Sequence, residues 1–247
     1  MDVSSYVLLS HEQALRRRMD VVANNMANSS TIGFRREQPV FHEYVEDSGE
    51  ASVDAARNVS FVLDYGAVHD TRAGSFQTTG NPLDVMIEGP GYLAVEAPGG
   101  GTAYTRAGSL KVLESGELAT SAGLRVLGEN GQPITIPADQ TAGLKIDDRG
   151  TIEGTAGPLG RLTVTVFDNE ADVTPRGDGM MTGNGGRVLT AAETRLHSGG
   201  VEGSNVEPIV ETTNMVEIMR SYQNSQRMSD ALNDMRKRAI ERLARVG

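Results

Sequence analysis

The uneven distribution of glycine constrains the fold of this 247-residue chain more than any other feature of its sequence. Of the 29 glycines, 27 lie between residues 41 and 204, whereas the ends hold only Gly33 and Gly247. The glycine-poor ends are rich in Leu, Met, Arg, Asn and Glu, and most of these residues favour helices. The middle also contains most of the prolines and many short apolar runs, which is typical of strands and turns. The sequence therefore predicts an α+β fold with a helix at each end.

The N-terminal segment carries a heptad pattern of apolar residues. Leu8, Leu15 and Val22 repeat at intervals of seven, and Met19 and Met26 occupy the other apolar heptad position. This pattern predicts a helix over residues 3–28 with a coiled-coil-like seam.

The C-terminal segment predicts a second and longer helix. Pro208 suits the first turn of a helix, and Ser204 or Asn205 is a candidate N-cap. Positions spaced alternately by three and four form its seam: Met215, Ile218, Tyr222, Ser225, Ser229, Leu232, Arg236, Ala239, Leu243 and Val246. We expect the two helices to pair as a coiled-coil-like axial domain. The shorter helix would leave part of the longer seam exposed, and neighbouring subunits in a helical assembly could bury it.

The segment between the helices predicts a mainly antiparallel β domain with a partly barrel-like or sandwich arrangement. Residues 83–89, 91–97 and 161–169 are apolar runs with strand character. The expected organisation is an N-terminal axial helix (1–34), a linker of uncertain structure (35–65), an outward-facing β domain (66–203) and a C-terminal axial helix (204–247).

Charge and composition exclude several classes of function. The formal net charge is −10, and residues 41–204 hold 11 bases and 23 acids, which argues against a general nucleic-acid binder. The absence of cysteine excludes disulfides and thiolate metal sites. The sequence contains no apolar run of about 18 residues and therefore predicts no transmembrane span. The N-terminus lacks the features of a cleavable secretory signal.

No pattern of residues predicts catalysis or a cofactor. The four histidines are scattered singly, and the acids at 147–148 and 168–172 lack the spacing of a calcium loop. Gly89-Pro-Gly91 loosely matches a dinucleotide fingerprint but precedes a predicted strand instead of a helix. We therefore expect no catalytic, cofactor or metal site, and we keep a β-rich hydrolase and a soluble adhesin or scaffold as alternatives.

One polar stretch at the end of the first helix carries a family resemblance. NNMANSSTIGF (24–34) contains Asn24, Asn25, Ala27, Asn28, Thr31, Gly33 and Phe34. In this spacing these residues resemble the N-terminal signature of the flagellar rod and hook axial proteins. In the middle of the chain, three segments resemble the same family: TGNPLDVMIEGPGYLAV (79–95), YTRAGSL (104–110) and GELATSAGLRVLGENGQPI (116–134).

Two C-terminal segments extend this resemblance. GGVEGSNV (199–206) is similar to the entry into the C-terminal helix of that family. Arg220, Tyr222 and Asn224 match the core of the helix, whereas Met219 stands where Gln is usual. Because the hook proteins have larger middle domains and the smallest rod proteins lack one of this size, the resemblance implies a rod subunit of the proximal or the distal type. The segments at 61–85 and 202–211 favour the proximal type.

The resemblance also implies a role and a set of partners. Such subunits pass unfolded through the flagellar type III export apparatus and assemble in the periplasm into a hollow drive shaft that transmits torque. The expected partners are other rod subunits, further copies of this chain and the export apparatus, without nucleic acid, membrane insertion or enzymatic activity. The predicted assembly interface comprises Leu8, Leu15, Met19, Val22, Asn24, Asn25, Met26, Asn28, Phe34, Met215, Ile218, Arg220, Tyr222, Asn224, Leu232 and Leu243.

Overall fold

A computed structural model describes residues 3–47, 58–141, 143–169, 173–176 and 179–245. Over these residues it contains two α-helices, α1 (Val3–Ala27) and α2 (Pro208–Ala244), and a 3₁₀ turn at Ala138–Gln140. Seventeen β-strands lie between the helices over the same residues. The chain divides into two compact units.

Unit 1 consists of Met1–Ala27, Glu37–Val68 and Glu207–Gly247. It contains both helices and a two-stranded sheet of β1 (Glu37–Asp47) and β2 (Asn58–His69). β1 and most of β2 lie in residues 35–65, which the sequence predicted only as a linker of uncertain structure. The helices are antiparallel, because Glu12 contacts Ser225 whereas the earlier Ser5 contacts the later Arg236.

The α+β class and the antiparallel middle are present, but the prediction of a coiled-coil-like axial domain is wrong. The helices share one small apolar cluster, in which the buried residues are Leu15, Val22 and Ile218. Further along the seam of α2, polar residues form two of the contacts with α1: the buried Ser225 bonds Glu12, and Arg236 bonds Ser5. A coiled coil needs apolar a and d positions sustained over about three to four heptads, and this helix pair does not have them.

The start of α2 also differs from its prediction. Pro208 is its first residue, as expected, but the N-cap position is Glu207, without a side-chain capping bond. The side chains of Ser204 and Asn205 bond elsewhere: Ser204 accepts the amide of Val206, and Asn205 contacts residues 36, 70 and 72.

Unit 2 comprises Asn28–Arg36 and His69–Val206. Its largest sheet has six strands in the order β13-β14-β6-β5-β12-β15, and each pairing is antiparallel. The bounds of these strands are β5 (Tyr92–Glu96), β6 (Thr102–Thr105), β12 (Val164–Val166), β13 (Val173–Pro175), β14 (Met181–Gly183) and β15 (Arg187–Val188).

Smaller antiparallel sheets complete unit 2. A three-stranded sheet has the order β11-β10-β9, and three strand pairs are β16-β4, β17-β3 and β7-β8. The bounds are β3 (Phe76–Thr78), β4 (Val85–Ile87), β7 (Leu110–Val112), β8 (Leu118–Thr120), β9 (Lys145–Ile146), β10 (Thr151–Gly154), β11 (Gly157–Arg161), β16 (Leu196–Ser198) and β17 (Gly200–Glu202).

The core of unit 2 is a single aliphatic cluster that joins these sheets. Leu93, Leu118 and Ile152 are fully buried within it, together with Val126 and Leu162. Because the strands are short, most sheets are too small to be stable alone, and the shared core holds them together. β17, which leads towards α2, pairs with β3.

Candidate assembly interface

Six of the predicted interface residues contact one another within a single chain. Leu15, Val22 and Ile218 are buried at the contact between α1 and α2, and Met19, Met215 and Tyr222 pack around them, half-buried. The heptad spacing places these side chains on facing sides of the two helices. The pattern therefore identified a buried face, and part of what covers it is the other terminal helix of the same molecule.

Polar contacts continue the helix pairing from the apolar cluster towards the start of α1 and the end of α2. Arg16 donates through Nη2 to the Tyr222 hydroxyl at 3.1 Å, and its guanidinium carbon lies 5.8 Å from the centre of the ring. This hydrogen bond raises the pKa of Arg16 above its usual value. Ser225 donates to Glu12 Oε1 at 3.3 Å, and Arg236 Nη2 donates to Ser5 Oγ at 2.7 Å.

The asparagines of the polar stretch have separate roles. Asn25 is fully buried: its Oδ1 accepts the Glu37 amide at 2.8 Å and its Nδ2 donates to the Glu37 carbonyl at 2.9 Å. These two bonds satisfy both backbone groups of Glu37, as a neighbouring strand would. Asn28, half-buried, accepts the Thr31 hydroxyl at 3.1 Å and the Thr31 amide at 3.1 Å, which forms a turn after α1. Asn24 is exposed.

Gly33 and Phe34 end this turn. Gly33 has a φ of +71°, and a Cβ on it would lie 2.5 Å from the backbone carbon of Arg106. A larger residue would therefore be strained by its backbone angle and would also clash with a neighbouring strand connection. Phe34 is half-buried, and its carbonyl accepts the amide of Asn205.

The second half of α2 exposes an apolar face. Met228, Met235 and Leu243 are 58%, 58% and 75% exposed, and their spacing of about two helical turns places them on one side. Met235 and Leu243 line a shallow groove with Ala239, Arg238 and Arg242. The face is therefore both apolar and basic.

The remaining predicted interface residues lie along the helices. Leu8, Met26 and Leu232 are half-buried, whereas Arg220 and Asn224 are exposed. As contacts between subunits, all sixteen positions stay predictions, because one chain alone does not test them.

Sequence reasoning missed a cluster of buried charges in unit 2. Glu202 is 1% exposed and accepts Arg35 Nη2 at 3.0 Å and Arg106 Nε at 2.6 Å. Arg106 also donates to three backbone carbonyls: Ile87 at 2.8 Å, Gly89 at 3.0 Å and Gly91 at 2.6 Å. Burial lowers the pKa of Arg106, and the charge of Glu202 opposes that effect. The quoted motifs contain Arg106 and Glu202, but their spacing alone gives no sign of the pairing.

Over the described residues, no group of three or more His, Cys, Asp or Glu side chains is placed to hold a metal ion. The acids at 170 and 172 lie outside those residues.

No helix in the described part of the chain is long and apolar enough to cross a membrane.

Three family profiles match the chain in the order of its elements. Residues 6–35, which span most of α1 and the turn after it, match "Flagella basal body rod protein". Residues 86–154 of the β unit match "Flagellar hook protein FlgE/F/G D1 domain". Residues 197–242 match "Flagellar basal body rod FlgEFG protein C-terminal". Together with the two terminal helices and the antiparallel β unit, these matches define the class of flagellar rod and hook subunits.

Relatives that match the whole chain show which type of subunit within this class it resembles. FlgF of Caulobacter vibrioides is 34% identical over 251 residues, which cover 100% of both chains, and FlgF of Salmonella typhimurium is 31% identical over 99% of both. FlgG of Agrobacterium fabrum is 28% identical over 90% of this chain and 92% of its own. The chain belongs to the FlgF-type flagellar basal-body rod proteins. It is a structural subunit of the flagellar rod and resides in the basal body with the other rod subunits.

Proposed function

We propose that this subunit polymerises through its terminal helices into the proximal part of a hollow shaft that transmits torque. Its neighbours in that shaft would be further copies of itself and other rod subunits. The observation that carries the proposal is the exposed apolar face of α2, formed by Met228, Met235 and Leu243. Large apolar side chains grouped on one face mark a protein contact or an aggregation liability.

The difference in length between the helices supports this proposal. With 25 and 37 residues, α1 and α2 are about 37 Å and 55 Å long. The contact between Arg236 and Ser5 lies near the start of α1, so the end of α2 towards Ala244 extends past the described start of α1. Burying one Met or Leu side chain stabilises a contact by about 1.5–3 kcal/mol. Three such residues per subunit are a substantial contribution to assembly.

The family assignment leads to further proposals about organisation and export. Residues 1–34 and 204–247 would line the shaft, residues 35–65 would link them to the middle, and residues 66–203 would face outward. The chain would leave the cytoplasm through the flagellar export apparatus without a cleavable signal peptide. The proposed role is mechanical and assigns no enzymatic activity to the β unit.

Replacing Leu243 by Asp tests the interface. Leu243 is exposed, so the isolated variant should keep the helix content and thermal midpoint of the wild type. In cells that carry only this variant, we expect few rods in purified basal bodies and loss of swimming, because the substitution removes an apolar contact and places a charge in the interface.

Gln223→Asp is the matched control, because Gln223 is an exposed polar residue of the same helix. We expect it to assemble normally. Wild-type swimming by Leu243→Asp cells would contradict the proposed interface. Imaging of basal bodies with this subunit labelled would separate the proximal position from a distal, FlgG-like position.

A further inference from the structure

The chain passes between the two units four times. The passages follow residues 27, 36, 68 and 206. On the side of unit 2, the adjoining segments are 28–36, the stretch that begins at His69, and the stretch that ends at Val206. These three segments meet in one network of hydrogen bonds inside unit 2.

Asn205 joins all three segments. Its Oδ1 accepts the Arg36 amide at 2.6 Å, and its Nδ2 donates to the carbonyls of Asp70 at 3.1 Å and Arg72 at 2.7 Å. The Asp70 amide also donates to the Arg36 carbonyl at 2.8 Å. One amide side chain therefore satisfies three backbone groups that no strand ladder reaches.

Glu202 joins the same segments from the buried side. Its Oε1 accepts Arg35 Nη2 and also the Gly74 amide, each at 3.0 Å, and its backbone carbonyl accepts the Gly33 amide at 2.8 Å. Its Oε2 accepts Arg106 Nε, which ties the network to the core sheets. Arg35 donates in addition to the carbonyl of Thr71.

The chemistry of this network makes its parts depend on one another. A buried carboxylate is stable only while its cationic partners stay in place, and removing one partner leaves an uncompensated charge. If residues 28–36 detached from unit 2, Arg35 would leave Glu202 and Gly74 would lose the geometry of its acceptor. The strand that starts at Glu37 and the helix that ends at Ala27 continue directly from this segment.

We propose that Glu202 and Asn205 are positioning residues of a clasp, which we define as Gly33, Arg35, Arg36, Asp70, Gly74, Glu202 and Asn205. The clasp keeps the segments at the four passages of the chain bonded to one another within unit 2, so that they detach together and not one at a time. The proposal does not rest on the assembly of the rod, because the clasp lies within one unit of one chain.

Residue-resolved amide hydrogen exchange on the isolated full-length chain tests the clasp. The reporters are the amides of Gly33, Arg36, Asp70 and Gly74. The core references are the amides of Val126 and Ile134, which donate to carbonyls of buried core residues. In Asn205→Ala we expect all four reporters to exchange about tenfold faster or more, since three backbone groups, two of them partly buried, lose their side-chain partner. The core references should stay within about threefold of the wild type.

A faster exchange shared by all four reporter amides distinguishes release of the whole clasp from the loss of single hydrogen bonds. The Gly33 and Gly74 amides do not contact the Asn205 side chain, so their acceleration in Asn205→Ala reports release of the whole clasp. Glu202→Gln should likewise accelerate Arg36 and Asp70, which do not contact the Glu202 side chain. Glu193→Gln, which removes an exposed carboxylate outside the clasp, should leave the four reporters unchanged.

Two results would overturn the proposal. Acceleration of the Arg36 amide alone in Asn205→Ala would show that the segments open independently. Equal acceleration of the core references would show that the substitution destabilises the unit as a whole. If Glu202→Gln fails to fold, the milder Asn205→Ala variant decides the question alone.

Discussion

The contact between α1 and α2 predicts a measurable effect of Ile218→Ala on unit 1. Ile218 is 2% exposed, and the substitution removes three carbon groups from the cluster that it forms with Leu15 and Val22. At about 0.8 kcal/mol per buried methylene, the transfer cost is about 2.4 kcal/mol. A cavity adds to this cost where the site cannot collapse. Because Met19 and Met215 are flexible and adjacent, they should fill part of the space, so we expect a total of about 2–3 kcal/mol.

Amide exchange in the middle of α1 is the suitable assay. A loss of about 2.4 kcal/mol corresponds to an increase of about 60-fold in the opening equilibrium. Exchange at Val21 and Val22 should rise by about this factor if α1 opens by leaving α2. Exchange in the core of unit 2 should not change.

Val216→Ala supplies the control for this experiment, because Val216 is 42% exposed on the same helix. Its effect should stay within about 0.5 kcal/mol, or about twofold in exchange. If Ile218→Ala raised exchange in α1 no more than Val216→Ala does, the apolar cluster would not be what holds the helices together.

Two further predictions concern unit 2. Gly33→Ala should lower the free energy of unfolding measured in urea by more than Gly131→Ala, since both glycines have a φ near +70° but only at Gly33 would a Cβ meet backbone atoms within 3 Å. Each substitution should cost about 1–2 kcal/mol for the backbone angle. Equal losses would show that the contact with Arg106 relaxes freely. The Arg72 side chain holds the pKa of Asp70 below its usual value. The stabilisation from Asp70 should therefore be complete above about pH 4 and fall as the pH drops through the lower folded pKa. Urea midpoints of wild type and Asp70→Asn should accordingly converge as the pH falls below about 4, and a difference that does not change with pH would contradict the lowered pKa.

The sequence predicted the terminal helices well because their signals are local. The apolar spacing and Pro208 placed both helices, and α1 ends at Ala27, one residue before its predicted end. The coiled-coil interpretation was wrong because it weighted the spacing above the chemistry of Ser225 and Arg236, which form polar contacts. The strands β1 and β2 were missed since Pro39 and Gly66 lie within them, and both residues weaken a strand signal.

The candidate site was predictable only in part. A heptad pattern shows that a face is buried but not which chain buries it, and for Leu15, Val22 and Ile218 one partner is the same molecule. The buried charges around Glu202 gave no signal because Arg35 and Glu202 are 167 positions apart and Arg106 and Glu202 are 96 apart. Acids and bases at such distances are normally solvated, so only the fold shows that these are buried and paired.

The polar stretch after α1 acquires a physical explanation from these contacts. Asn25 bonds the first residue of β1 within unit 1, whereas Asn28, Thr31 and Gly33 turn the chain into unit 2. A polar stretch follows an apolar helix here because the backbone of this turn needs side-chain partners that a regular element would otherwise supply.

The exposed apolar face of α2 and the clasp can be tested separately because their contacts depend differently on protein concentration. Contacts between subunits follow mass action, so a substitution at Met228 or Leu243 changes association only where other copies are present. Contacts within the clasp are intramolecular, and the exchange of the Gly33 and Gly74 amides should be the same at every concentration. A subunit that depended on assembly to order residues 28–36 would instead show protection of these amides that rises with concentration. A dilution series of the wild-type chain therefore distinguishes a segment ordered within the monomer from one ordered by its neighbours.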